Sequence, residues 1–139
     1  MSRAFILDCS ATVPWVFASE ATPQTDALLD ELAQGAKAWV PALWHLELAN
    51  VLLGAKRKGR IDQYGIEQFF ALISSFDINV DADTLAHAWT KTLALAELYR
   101  LTHYDATYLE LGLRRGLPLA TLDTDLRAAF KNAGGTLLL

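Results

Sequence analysis

Four acidic residues of this 139-residue chain sit where solvation alone is a poor reason for a carboxylate. Asp8 follows the apolar run Ala4-Phe5-Ile6-Leu7, and Asp123 follows Pro118-Leu119-Ala120-Thr121 and one further leucine. Both runs read as short strands, and ligands of an open parallel sheet bind at the carboxyl ends of its strands. Taken singly, an Asp after a strand is an ordinary helix cap or turn residue. Glu47 and Asp105 are less ordinary. In a helix beginning at Leu43, the positions Leu43, Leu46, Glu47, Asn50, Val51 and Gly54 share one face, apolar except for Glu47 and Asn50. Asp105, Tyr108, Leu109 and Gly112 share a face of a later helix in the same way. An inward carboxylate costs on the order of several kcal/mol unless it is paired or bound to a metal. The plain alternatives are a first-turn position favoured by the helix dipole for Asp105 and an ion pair with an arginine such as Arg3 for Glu47. If the first strand lies between the second and the fourth, all four acids reach one pocket, and protons or a cation must relieve their repulsion. Oxygen ligands without a His or Cys set favour Mg2+ or Mn2+ over Zn2+. Such a pocket suits attack of water on a phosphodiester.

The elements that must position these residues follow from the apolar pattern. Strands are expected at residues 4–7, 38–40, 78–80, 118–121 and 136–139, short and continuously apolar as in a sheet covered on both faces. Between them, Ser10 is a candidate cap for a helix reaching Ala18, with Pro14 near its first turn. Helices follow at 23–34, at 43–58 stopped by Gly59, and from Asp62 to about Phe76. Further helices are expected at 82–100, at 104–115 ended by Gly116, and at 126–133 before Gly134-Gly135. Short strands alternating with helices mean an α/β fold with a mostly parallel sheet and helices over both faces.

Composition narrows the class. The chain is 53% hydrophobic and 20% charged, which excludes disorder as its general state. Its length suits one domain over residues 1–139 with no linker inside it. Twelve Lys and Arg against sixteen Asp and Glu leave a net charge of −4, so binding of nucleic acid through bulk positive charge is disfavoured, although a bound metal reverses the local sign. A single cysteine, Cys9, excludes an internal disulfide. No signal peptide or membrane span is legible, and a reduced, cytoplasmic setting is expected.

Four motifs in order, Ile6-Leu7-Asp8-Cys9-Ser10-Ala11, Glu47-Leu48-Ala49-Asn50, Tyr104-Asp105-Ala106-Thr107-Tyr108-Leu109 and Leu119-Ala120-Thr121-Leu122-Asp123, resemble the PIN-domain family in its VapC-like toxin subgroup. The resemblance spans essentially the whole chain. It implies a three-layer α/β/α sandwich around a five-stranded sheet of order 3-2-1-4-5. It implies a Mg2+- or Mn2+-dependent ribonuclease, a homodimer, and inhibition by a cognate VapB-like antitoxin. Asp8, Glu47, Asp105 and Asp123 match the acidic quartet. The resemblance makes Asp8, Asp105 and Asp123 metal ligands, and Glu47 a group that positions water or a second ion and serves as a base. Asn50 would orient Glu47, Thr121 matches a small hydroxyl position before the last acid, and Ser10 would hydrogen-bond Asp8 or the phosphate. Asp125 is an extra acid that either shares the role of Asp123 or caps the last helix.

Other residues have blander readings. Lys56, Arg57, Lys58 and Arg60 form a compact basic run, either a solvated helix end or a contact for the RNA backbone. Arg114, Arg115 and Arg127 are similar candidates. His45, His87 and His103 lack metal-ligand spacing, and Cys9 reads as a small buried hydrophobe. Trp15, Trp39, Trp44 and Trp89 are expected in core or interface, with Trp15 and Trp44 candidates for the pocket rim. Apolar positions on the helices from Ile66 and Leu85 are candidate dimer surface. A dehalogenase-like phosphatase would need an acid at position 10, where Ser10 stands, and a phosphoacceptor receiver domain would need an acid pair after the first strand. A non-catalytic PIN-fold module binding RNA or protein is the remaining alternative, disfavoured by the presence of all four acids.

Overall fold

The computed structural model describes residues 3–139, and Met1 and Ser2, ahead of the first strand, lie outside the described residues. The apolar tetrapeptide β1 (Ala4–Leu7) occupies the middle of a parallel sheet, with Phe5, Ile6 and Leu7 wholly buried. β2 (Lys37–Val40) pairs on one side of it and β4 (Leu119–Ala120) on the other, with Ile6 opposite both Trp39 and Leu119. β3 (Asp77–Val80) pairs with β2, which makes the order β3-β2-β1-β4. The fifth expected strand shrinks to one parallel bridge, Leu119 to Leu137, held by hydrogen bonds of the Leu119 N–H to the Thr136 carbonyl (3.0 Å) and the Leu138 N–H to the Leu119 carbonyl (2.9 Å). Its partner β4 is itself only two residues long, so there is little ladder to extend.

Helices flank the sheet. They are α1 (Cys9–Thr12), α2 (Pro23–Ala33), α3 (Leu43–Arg57), α4 (Gln63–Ser74), α5 (Thr84–His87), α6 (Lys91–Tyr99), α7 (His103–Arg115) and α8 (Thr124–Asn132). Their starts are set by hydrogen-bonding side chains, Thr22 for α2, Asp62 for α4, Thr102 for α7 and Asp123 for α8. At the end of α7, Gly116 takes the left-handed conformation (φ 63°) that closes the helix. One turn earlier, Gly112 lets the Phe130 ring of α8 pack against the helix, because a Cβ there would lie 2.7 Å from the ring.

Three expectations are corrected. Ser10 does not cap a helix to Ala18: Asp8 holds the N-cap position, α1 lasts one turn, and a 3-10 turn at Val13–Trp15 takes up Pro14. The helix expected at 82–100 is two helices. The break leaves the Ala88 carbonyl free to accept from Nε2 of His103 (2.6 Å), a bond that a continuous helix would have used internally. On α3 the buried stripe is Trp44, Leu48, Leu52 and Ala55, so Leu46 and Asn50 are exposed and Glu47 sits at the edge of the core.

A buried ionic cluster ties α7 to the end of β3. Asp81 accepts from both guanidinium groups, Arg114 Nη2 at 2.7 Å and Arg115 Nη2 at 2.8 Å, and Arg114 also pairs with the buried Glu110 at 2.8 Å. Arg115 stacks on Trp39, 3.6 Å from its centroid. Burial pushes the Asp81 carboxyl up, but its bonds from Arg114, Thr84 and Arg115 outweigh that and hold it far below the ordinary carboxylate range. These contacts withdraw Arg114 and Arg115 from the candidate RNA contacts. Replacing Asp81 with Ala takes the carboxylate partner from Arg115 and leaves Arg114 with Glu110 alone, and urea denaturation is expected to show a loss of about 2–4 kcal/mol.

Candidate functional site

The carboxyl ends of β1 and β4 lie side by side and carry Asp8 and Asp123 with them. The Asp8 N–H donates to the Ala120 carbonyl (3.0 Å), which continues the strand pairing one residue further. Beyond that point hydroxyls knit the two segments together. Ser10 and Thr121 each donate to Asp8 Oδ2 at 2.7 Å, the Leu122 N–H donates to Ser10 Oγ (2.9 Å), and the Asp123 N–H donates to Thr121 Oγ1 (3.1 Å). Asp8 is thereby held with both hydroxyls on one oxygen. Asp123 caps α8, its Oδ1 accepting from the Leu126 N–H at 2.9 Å.

Two helices supply the other acids. Asp105 lies in the first turn of α7, where its N–H donates to the Thr102 cap (3.1 Å). Glu47 projects from α3, and its Oε1 accepts from the hydroxyl of Tyr108 at 2.5 Å. Arg3 does not reach it, being paired with Glu31 at the surface. The four carboxylates share the lining of one open cleft of about 340 Å³ with Cys9, Ser10, Val13, Asn50 and Val51. As the side chains stand, no three Asp, Glu, His or Cys groups among the described residues are drawn to the spacing of a single bound ion. The acids surround one volume and do not converge on a point, a looser cluster than the sequence suggested.

The electrostatics are those of crowded like charges. Burial raises the Asp8 carboxyl, the hydrogen bonds from Ser10 and Thr121 oppose it, and Asp123 adds repulsion. Burial also raises Glu47, partly offset by the Tyr108 hydrogen bond and reinforced by Asp8 and Asp105. Asp105 is pushed up to about 6, by burial first and then by Asp123 and Asp8. Among the described residues no Lys or Arg forms an ion pair with any of the four. A set of carboxylates without a protein cation is a donor set that fits a hard divalent ion. Cys9 does not add a soft ligand, because burial and the neighbouring Glu47 and Asp8 push its thiol up to about 12.

Other candidate residues fall apart from this group. Asn50 is exposed on the cleft lining, and the hydrogen bond to Glu47 comes from Tyr108. Asp125 is exposed in the first turn of α8 and touches the site only through repulsion of Asp105. In the basic run, Lys56 donates to Gln63 (2.8 Å), and Arg60 pairs with Glu20 (3.2 Å) and stacks on Phe17, leaving Arg57 and Lys58 exposed at the end of α3. Arg127 is turned to the carbonyls of Thr121 and Leu139. Trp44 is core and donates to Thr12, while Trp15 donates to the Thr25 carbonyl. Tyr108 is the site residue that sequence reasoning passed over as part of an apolar face. Its signal was available, since a buried tyrosine hydroxyl needs a polar partner.

The chain is thus an α/β domain with a parallel sheet and an acidic cleft at the carboxyl ends of its central strands. The PIN domain family matches residues 5–131, and the chain belongs to that family. Among solved structures the fold is similar to that of PAE2754 from Pyrobaculum aerophilum, with a TM-score of 0.72 and 24% identity over 99% of this chain and 91% of that one. It is also similar to a chain of a toxin–antitoxin complex from Klebsiella pneumoniae, with a TM-score of 0.54 and 21% identity over 86% of this chain and 87% of that one. No curated protein matches the chain in sequence.

The raised Asp105 carboxyl makes a prediction of definite sign. Its folded pKa lies above its unfolded value of 3.8, so its contribution to stability is complete below that value and is lost as pH rises through about 6. Asp105→Asn removes the loss. With chelator present, urea denaturation is expected to show the variant about 1 kcal/mol more stable than the parent near pH 7, a figure discounted for the solvent that reaches the group. The two proteins should become equal near about pH 4.

Proposed function

We propose that this chain is a metal-dependent endoribonuclease, the toxin of a toxin–antitoxin pair, which hydrolyses RNA phosphodiester bonds. The observation that carries the reading is the gathering of Asp8, Glu47, Asp105 and Asp123 around one cleft, without an ion pair to any of the four among the described residues. Membership of the PIN domain family, whose members are in general nucleases, supports the reaction class. The likeness to a chain of a toxin–antitoxin complex is in keeping with the toxin role.

Asp8, Asp105 and Asp123 are the residues that would hold Mg2+ or Mn2+. When bound, such an ion supplies Lewis acidity toward a phosphate oxygen and lowers the pKa of water. Ser10 and Thr121 hold Asp8 in place, leaving its Oδ1 free of those two hydroxyls. Glu47, raised above the ordinary range by burial, is the base for the proton of the attacking water. Asn50 stands at the mouth of the cleft, where a substrate group would pass. Arg57 and Lys58 lie ten and eleven residues beyond Glu47 on or just after the same helix, roughly 15 Å along its axis, and would contact RNA phosphates. Lys56 and Arg60 contribute less, being engaged locally.

The expected partners are an antitoxin and a second copy of the chain, and the expected setting is the cytoplasm. No helix among the described residues is long and apolar enough to cross a membrane. We assign the contact between copies to the exposed apolar surface formed by Leu85 of α5, Trp89 in the turn between the helices and Leu93 of α6, with Leu85 87% and Trp89 91% exposed. Large apolar groups so fully in water mark a contact surface. Ile66, by contrast, is buried and unavailable.

The purified protein is expected to cleave RNA with Mg2+ or Mn2+ and to lose that activity in chelator. Asp8→Asn should abolish cleavage, a loss of at least about 10³-fold, while circular dichroism shows the fold unchanged. Cleavage that persists in chelator or in the variant would overturn the assignment. Trp89→Asp should shift the protein from dimer to monomer in sedimentation equilibrium, and an unaltered mass would remove that face from the interface.

A further inference from the structure

We infer that Tyr108 is a positioning residue, its hydroxyl fixing Glu47 so that the carboxylate stays in the acidic cleft. This rests on the reading of the cleft as a nuclease centre. Tyr108 is wholly buried in α7, and its hydroxyl lies 2.5 Å from Glu47 Oε1. Glu47 projects from a different helix, α3, from the edge of the core. A glutamate there has three rotatable bonds and an easy route to bulk water. Its like-charged neighbours Asp8 and Asp105 favour that route, since both disfavour its charged form. The phenol is the one hydrogen-bond donor to the carboxylate among the described residues, and it holds against that repulsion. It also engages a single oxygen, which leaves Oε2 for the cleft.

The geometry couples two acids through one helix. Asp105 and Tyr108 are three residues apart on α7, so they lie on the same face of it. The helix therefore delivers Asp105 to the cleft directly and controls Glu47 through the phenol, spanning the gap to α3. A tyrosine serving only the core would have its hydroxyl on a backbone carbonyl or at the surface, as Trp15 has its indole N–H on the Thr25 carbonyl. Tyr108 spends its only donor on one of the four cleft acids.

The test compares the parent with Tyr108→Phe, Glu47→Gln and the double variant, with circular dichroism as the check on folding. Two quantities are read, kcat and KM for RNA with Mn2+, and the Mn2+ dissociation constant of the RNA-free protein by calorimetry. Tyr108→Phe should lower kcat about 10–100-fold with KM for RNA unchanged, and should weaken Mn2+ binding several-fold, because a Glu47 carboxylate released to bulk water no longer lends its negative charge to the cleft that holds the ion. In the Glu47→Gln background the same substitution should cost nothing further in either quantity, because the group it positions is gone. Incorporation of 3-fluorotyrosine at position 108 retains the hydroxyl and should retain parental values, which keeps the test open if the phenylalanine variant folds poorly. Equal costs in both backgrounds, or parental kcat and Mn2+ affinity in Tyr108→Phe, would overturn the inference. A parent protein that cleaves no RNA sinks the nuclease reading instead, and the Mn2+ titrations still decide whether Tyr108 positions Glu47.

Discussion

Mutual repulsion among four carboxylates is the constraint around which this molecule is organised. Two unit charges about 6 Å apart at an effective dielectric constant near 20 interact by roughly 3 kcal/mol, a sizeable share of the stability of a small domain. The fold bears this load by anchoring each acid to a rigid element. Asp8 sits at the buried end of β1, Asp123 at a helix cap, Asp105 in a helix first turn and Glu47 under a phenol. The hydroxyls of Ser10 and Thr121 supply local compensation for Asp8 without adding positive charge. A lysine or arginine in the same place would settle the electrostatics and close the cleft to any other cation.

The opposite solution appears at the far end of α7. There Asp81 and Glu110 are neutralised outright by Arg114 and Arg115, and the charges are used up in holding helix to sheet. One helix thus begins in an unneutralised acidic cluster and ends in a neutralised one. The contrast separates buried carboxylates retained for structure, Asp81 and Glu110, from a partly exposed one kept available, Asp105.

Much of this was legible in the residues themselves. The strand–acid junctions at Asp8 and Asp123 could be read because an apolar run stops abruptly at each, and the parallel α/β class followed from the alternation of short runs with helices. The orientation of α3 could not. Leucine, alanine and valine occupy so many of its positions that two apolar stripes compete, and Trp44 with Leu48 and Leu52 won the core against Leu43 and Leu46. Contacts made by residues distant in the chain were also hidden. The Tyr108–Glu47 bond joins residues 61 positions apart, and the Asp81–Arg114 pair spans 33. Arg114 and Arg115 looked available for RNA because a sequence does not show which acid will claim them. The break in the helix expected at 82–100 coincides with a bond from His103, fifteen residues beyond Ala88, to the Ala88 carbonyl, which no local propensity encodes.

The pairing of β1 with β4 has a consequence in time. Asp8 and the Thr121 hydroxyl that holds it are 113 residues apart, and β4 slots in beside a strand synthesised long before it. Contacts of such long range form late. A chain emerging from the ribosome therefore carries Asp8, Glu47 and then Asp105 into the cell well before the segment that completes the cleft. On the proposed activity, a chain whose β4 segment has not yet docked beside β1 is inert.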